Sequence, residues 1–68
     1  MHLLKNKSDS IYLNIPLDEL ITIQNALNEI CHGIEVFEFQ TRIGVTKEEV
    51  KILMEKILEI IVEVELKN

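Results

Sequence analysis

Few side chains in this 68-residue chain have the type and spacing that chemistry asks for. Asn25, Asn28, Glu29 and His32 recur at i, i+3, i+4 and i+7, which places them on one face of a helix. Two amides, a carboxylate and an imidazole on one face can hydrogen-bond a ligand or the backbone of a partner. Arg42, the sole arginine, follows Glu38 by four residues and is within plausible reach of Glu29, so it can orient a carboxylate. The plainer readings are a solvated helix face for the first four and a structural ion pair for Arg42.

Catalytic and metal chemistry find less support. Glu35 and Glu38 are neighbouring carboxylates, but no pocket-forming sequence surrounds them to make a general acid and base. His2, Cys31 and His32 are the only nitrogen and sulfur ligand types. Cys31 and His32 are adjacent, about 100° apart on a helix, so they cannot share an ion. Cys31 falls on the apolar face as a small packing residue, and His32 falls where a cation complements the end of a helix. No enzyme activity, metal or cofactor is expected.

The elements that position these residues follow from periodicity. Residues 1–9 lack any repeat and read as a flexible N-terminus before a single domain over 10–68. Residues 10–15 alternate apolar and polar, a short strand that Pro16 stops. Proline then opens a helix over 16–32, with Asp18 and Glu19 in its first turn and Leu17, Leu20, Ile21, Ile23, Leu27, Ile30 and Cys31 on its inner face. Gln24 is the one polar interruption near that seam. Gly33 fits the left-handed residue that closes a helix.

Residues 34–43 read as a packed connector with one helical turn, its Phe37 and Phe39 serving as anchors. Gly44 precedes a second helix, and Thr46 with Glu49 has the spacing of a capping box. Val50, Leu53, Met54, Ile57 and Ile61 form its stripe, while Ile52, Leu58 and Ile60 widen the apolar girdle. Residues 62–66 alternate as a strand would, yet no Gly or Pro interrupts them, so a continuous helix is the preferred reading. The expected fold is mainly α: two amphipathic helices, a connector, a short N-terminal strand and a possible C-terminal strand.

Size and charge bound the partners. A chain this short buries roughly 60 % of its unfolded surface, yet 47 % of its residues are apolar. The excess predicts a homodimer formed through the second helix. A net charge of −5 without a basic stripe argues against nucleic acid and suits a basic protein partner. A helix-turn-helix outline around Gly44 is undercut by the alternation of Lys47, Glu48, Lys51 and Glu55. No run approaches the ~18 apolar residues that cross a membrane, and a lone cysteine with no leader-like start fits the cytoplasm.

The strings NALNEICHG (25–33) and EFQTRIG (38–44) look similar to those of small bacterial proteins of unassigned function. That resemblance implies a small bacterial protein and supplies no catalytic residue. The expected role is a non-enzymatic protein-binding module, a dimeric adaptor or inhibitor acting through acidic helix faces. The alternatives are a DNA-associated regulator and a small-molecule sensor or minor enzyme.

Overall fold

The computed structural model describes residues 1–67. Two antiparallel strands, β1 (His2–Lys7) and β2 (Ser10–Asn14), precede helix α1 (Leu17–Asn28), a π-helical turn (Glu29–Gly33), the short α2 (Phe39–Ile43) and the long α3 (Lys47–Lys67). The protein is mainly helical, and α3 packs on α1 and on the π-turn.

Residues 2–7, expected as a ragged end, form half of a hairpin. A two-residue turn at Ser8 and Asp9 joins the strands, and Ser8 takes the positive φ (51°) that matches the twist of paired strands. Leu3 pairs with Leu13 and Lys5 with Tyr12, so Leu4 is the extra residue of a bulge. Leu3, Leu13 and Ile11 share one face, with Leu4 beside Leu3 at the bulge. Tyr12 occupies the other face under the Lys5 ammonium, 5.9 Å from the ring centre. Every residue of both strands is exposed. The only ion pair that ties the hairpin to the helices, among the described residues, joins the Met1 amino group to Glu19 at 3.5 Å.

Pro16 opens α1 with φ −60°, and its carbonyl accepts the first helical bond from the Leu20 N–H at 3.1 Å. The helix ends in a wide turn rather than on a left-handed glycine. The Ile34 N–H donates to the Glu29 carbonyl at 2.9 Å, five residues back, and Gly33 has no positive φ. Glycine is useful there for a different reason: a Cβ would meet the Glu29 carboxylate lying over it. Gly44 is the residue that is left-handed (φ 96°), closing α2 through its N–H to the Gln40 carbonyl at 2.8 Å.

The capping box forms as expected. The Glu49 N–H donates to Thr46 Oγ1 at 3.2 Å, and the Thr46 N–H donates to the Glu49 carboxylate at 3.3 Å. From there α3 runs unbroken, so residues 61–67 are helix and no C-terminal strand pairs with β2. Its crowded carboxylates are relieved in part by Lys67, which binds Glu63 at 3.0 Å.

Among the described residues only Cys31, Val50 and Ile61 are buried apolar residues. They sit where α3 meets the π-turn and α1, while Leu17, Leu20, Ile21, Ile23 and Leu27 of α1 and Ile30 of the π-turn are only half-buried. The body measures 37 × 30 × 17 Å. The thin axis holds one layer of helices, each about 10–12 Å across with side chains.

Two local features carry measurable stability. Thr46→Ala should cost about 1 kcal/mol by removing the hydroxyl half of the box. Glu38 is left-handed (φ 52°, ψ 54°) without being glycine, so Glu38→Gly should hold or raise stability whereas Glu38→Val should lose about 1 kcal/mol or more. Urea unfolding followed by circular dichroism reads both; equal responses to Gly and Val at position 38 would contradict the left-handed backbone.

Candidate functional site

The five residues singled out by spacing do not converge. Asn25 and Asn28 lie on α1, Glu29 and His32 lie in the π-turn, and Arg42 ends α2; all five are exposed. Arg42 forms no ion pair among the described residues, so neither Glu38 nor Glu29 holds it. Its link to Glu38 is through the backbone instead: the Arg42 N–H donates to the Glu38 carbonyl at 3.1 Å.

Only His32 of the five reaches a concavity. A shallow groove of about 260 Å³ is lined by Gln24, His32, Lys51, Met54, Glu55 and Leu58. The α1 side contributes Gln24, the π-turn His32, and consecutive turns of α3 the rest. Met54 and Leu58 give it an apolar strip; an imidazole, an ammonium and a carboxylate supply polarity.

Gln24 is the residue that spacing alone passes over. Its amide Nε2 donates to the Met54 carbonyl at 2.8 Å, while its Oε1 is buried and has no partner. A buried acceptor left unpaired costs about 1–3 kcal/mol. The legible signal was a polar residue on the core-facing stripe of a helix. The groove thus offers an apolar strip with charged groups at its margin, and the unpaired Gln24 oxygen is buried rather than open to a ligand. It does not juxtapose a nucleophile with a base: Cys31 is 5 % exposed and outside its lining. No group of three metal-ligating side chains converges among the described residues.

The larger features are convex. Among the described residues sixteen large apolar side chains are exposed, and ten of them fall in three groups. One face of the hairpin presents Leu3, Leu4, Ile11 and Leu13. The connector presents Ile34 and Phe37, the latter 72 % exposed, while Phe39 is half-covered with the Lys47 ammonium 5.7 Å above its ring. The third group flanks α3 on both sides of its contact with α1: Leu53 and Ile60 on one side, Leu58 and Val62 on the other. No helix is long and apolar enough to cross a membrane.

Comparison with family models, with curated proteins and with solved structures finds no match to this chain.

Gln24→Leu should leave stability unchanged or raise it by up to about 1 kcal/mol. It removes a buried unpaired oxygen, and the Met54 carbonyl keeps its place in the helical ladder of α3. A loss above about 1 kcal/mol in chemical denaturation would show that the 2.8 Å bond outweighs the orphaned oxygen.

Proposed function

We propose that this chain is a non-enzymatic protein-binding module, a dimeric adaptor or inhibitor-like protein whose apolar faces are covered in use by other polypeptide. The observation that supports it most is the ratio of hidden to bare apolar side chains: three buried against sixteen exposed. Clustered exposed apolar side chains, such as those on the hairpin and along α3, are the kind of surface that marks interaction sites.

Two further quantities point the same way. A compact protein of 7.9 kDa exposes about 4,400 Å², and this one exposes 5597 Å², a surplus on the order of 1,200 Å². Its radius of gyration is 13.6 Å, where a compact chain of this length has about 11 Å. An ordinary protein–protein interface takes about 800 Å² from each partner, so the surplus suffices for one interface and more.

Charge describes the second partner. Glu48, Glu55, Glu59 and Glu63 are exposed along α3 beside its apolar flanks. An apolar centre with an acidic rim complements a partner whose apolar patch is ringed by Lys and Arg. The same acidic surface and net charge of −5 make a protein a better partner than DNA.

Photo-crosslinking tests the reading. Benzoylphenylalanine replacing Phe37 or Ile11, in the full chain expressed in its native host, should give discrete protein adducts of defined mass. The same probe replacing the exposed Glu59 serves as the background. Adducts no stronger at Phe37 and Ile11 than at Glu59 would refute protein binding.

A further inference from the structure

The exposed flank of α3 has a register of its own. Val50, Leu53, Ile57, Ile60 and Val64 follow one another at intervals of 3, 4, 3 and 4, the alternation of a coiled-coil seam. Val50 is packed inside, and Ile57 and Val64 are half-buried on the near edge. Leu53 and Ile60 stand bare on the far edge, 47 % and 51 % exposed. The seam therefore begins in the protein's own core and emerges from it. Beside it, one heptad apart, run Glu49, Lys56 and Glu63, all exposed. These are the positions that set partner and orientation in paired helices.

From this seam we infer that a second copy of the chain packs α3 against α3 in antiparallel, two-fold symmetric fashion, an inference that rests on the protein-binding reading above. The register is specific. Leu53 meets Val64 of the partner subunit, and Ile57 meets Ile60 of the partner subunit. Symmetry repeats both contacts, so the interface is self-complementary.

In that register Lys56 lies beside Glu63 of the partner subunit, and Glu63 lies beside the partner's Lys56. Both copies thereby gain a cross-pair from residues whose seam-side neighbours are apolar. A parallel pair gains none: Lys56 would face Ile61 of the partner subunit. The overall charge pattern argues likewise. The first half of α3 (47–56) carries three lysines and three glutamates, net zero, whereas the second half (57–67) carries three glutamates and one lysine, net −2. Parallel packing sets the two acidic halves side by side, while antiparallel packing sets each against a neutral half and also opposes the helix dipoles. The surplus of accessible surface, on the order of 1,200 Å² per chain, exceeds the roughly 800 Å² that a stable pair requires of each subunit.

The test uses the full chain. Sedimentation equilibrium at micromolar concentrations should give twice 7.9 kDa. Lys56→Glu alone and Glu63→Lys alone should each weaken the dimer roughly tenfold by setting like charges against each other. The double exchange Lys56→Glu with Glu63→Lys should restore it to within about twofold, the signature of a direct cross-pair. Both substitutions are at exposed positions, and circular dichroism checks that each of the three variants is folded.

Orientation is read by a spin label on Glu48→Cys, with Cys31→Ala to leave one thiol. At 1.5 Å per residue, antiparallel helices centred between Ile57 and Ile60 place the two labels about 30 Å apart, and parallel helices place them within about 15 Å. A folded monomer, a short label distance, or dimers indifferent to both charge reversals would each overturn the inference. A monomer that still gives adducts from Phe37 would overturn it while leaving the binding role standing.

Discussion

The interior of this protein is one seam, where α3 packs on α1 and on the π-turn, and everything else in the structure depends on it. Val50 and Ile61, eleven residues and so about 16 Å apart along α3, are buried on its inner stripe, and Cys31 is buried in the π-turn that ends α1. Val50 is the most deeply buried, at 2 % exposure, and Ile61 at 7 % sits at the far end of the same stripe. Burying one aliphatic side chain stabilises by roughly 1.5–3 kcal/mol, so three cannot by themselves offset the ordering of a chain this long. The remainder comes from the half-buried rows on either side, and those rows are half-buried because a single layer of helices has no second layer to face. Domains ordinarily close on two.

That shortage explains why several local choices run against intrinsic preference. Glu38 adopts a left-handed backbone at the start of α2 without being glycine. The π-turn widens the end of α1, which leaves Cys31 facing inward and releases Ile34 into an extended conformation. Gln24 sits on the seam with one oxygen unpaired. A two-stranded hairpin without a covered face is marginal in water, yet here it displays Leu3, Ile11 and Leu13 to solvent. Each feature is a modest cost that a partner surface would redistribute. In the proposed antiparallel pair, the emergent edge of the α3 seam would become interior and the helices would gain a second layer.

The sequence made the helices legible because periodicity and caps agree there. Pro16 with Asp18 and Glu19 marked the start of α1, and Thr46 with Glu49 marked the start of α3 down to the reciprocal hydrogen bonds. The uninterrupted run to Lys67 settled as helix despite its alternation, since tertiary contact at Ile61 outweighs the repulsion among Glu55, Glu59 and Glu63. The first strand was hidden by physics that spacing does not show. A bulge at Leu4 breaks the alternation, and Ser8 rather than glycine supplies the positive φ of the turn. Gly33 misled for a related reason: a π-turn closes the helix without a left-handed residue. At the candidate site, the row of Asn25, Asn28, Glu29 and His32 assumes one regular helix, whereas Glu29 and His32 belong to the π-turn. Gln24 was visible as an oddity, but only the packing of α1 on α3 gives it a groove to face.

Mass action tests the central claim, that this fold is completed by a second copy. If the missing layer is another subunit, unfolding must be coupled to dissociation, and the thermal midpoint must depend on protein concentration. Differential scanning calorimetry of the full chain across about a hundredfold range of concentration should raise the midpoint by several degrees, because RT ln 100 is about 2.7 kcal/mol of dimer stability. A sharp transition whose midpoint stays fixed over that range would mean that three buried side chains and a bare surface suffice for a solitary fold, and the account would be wrong.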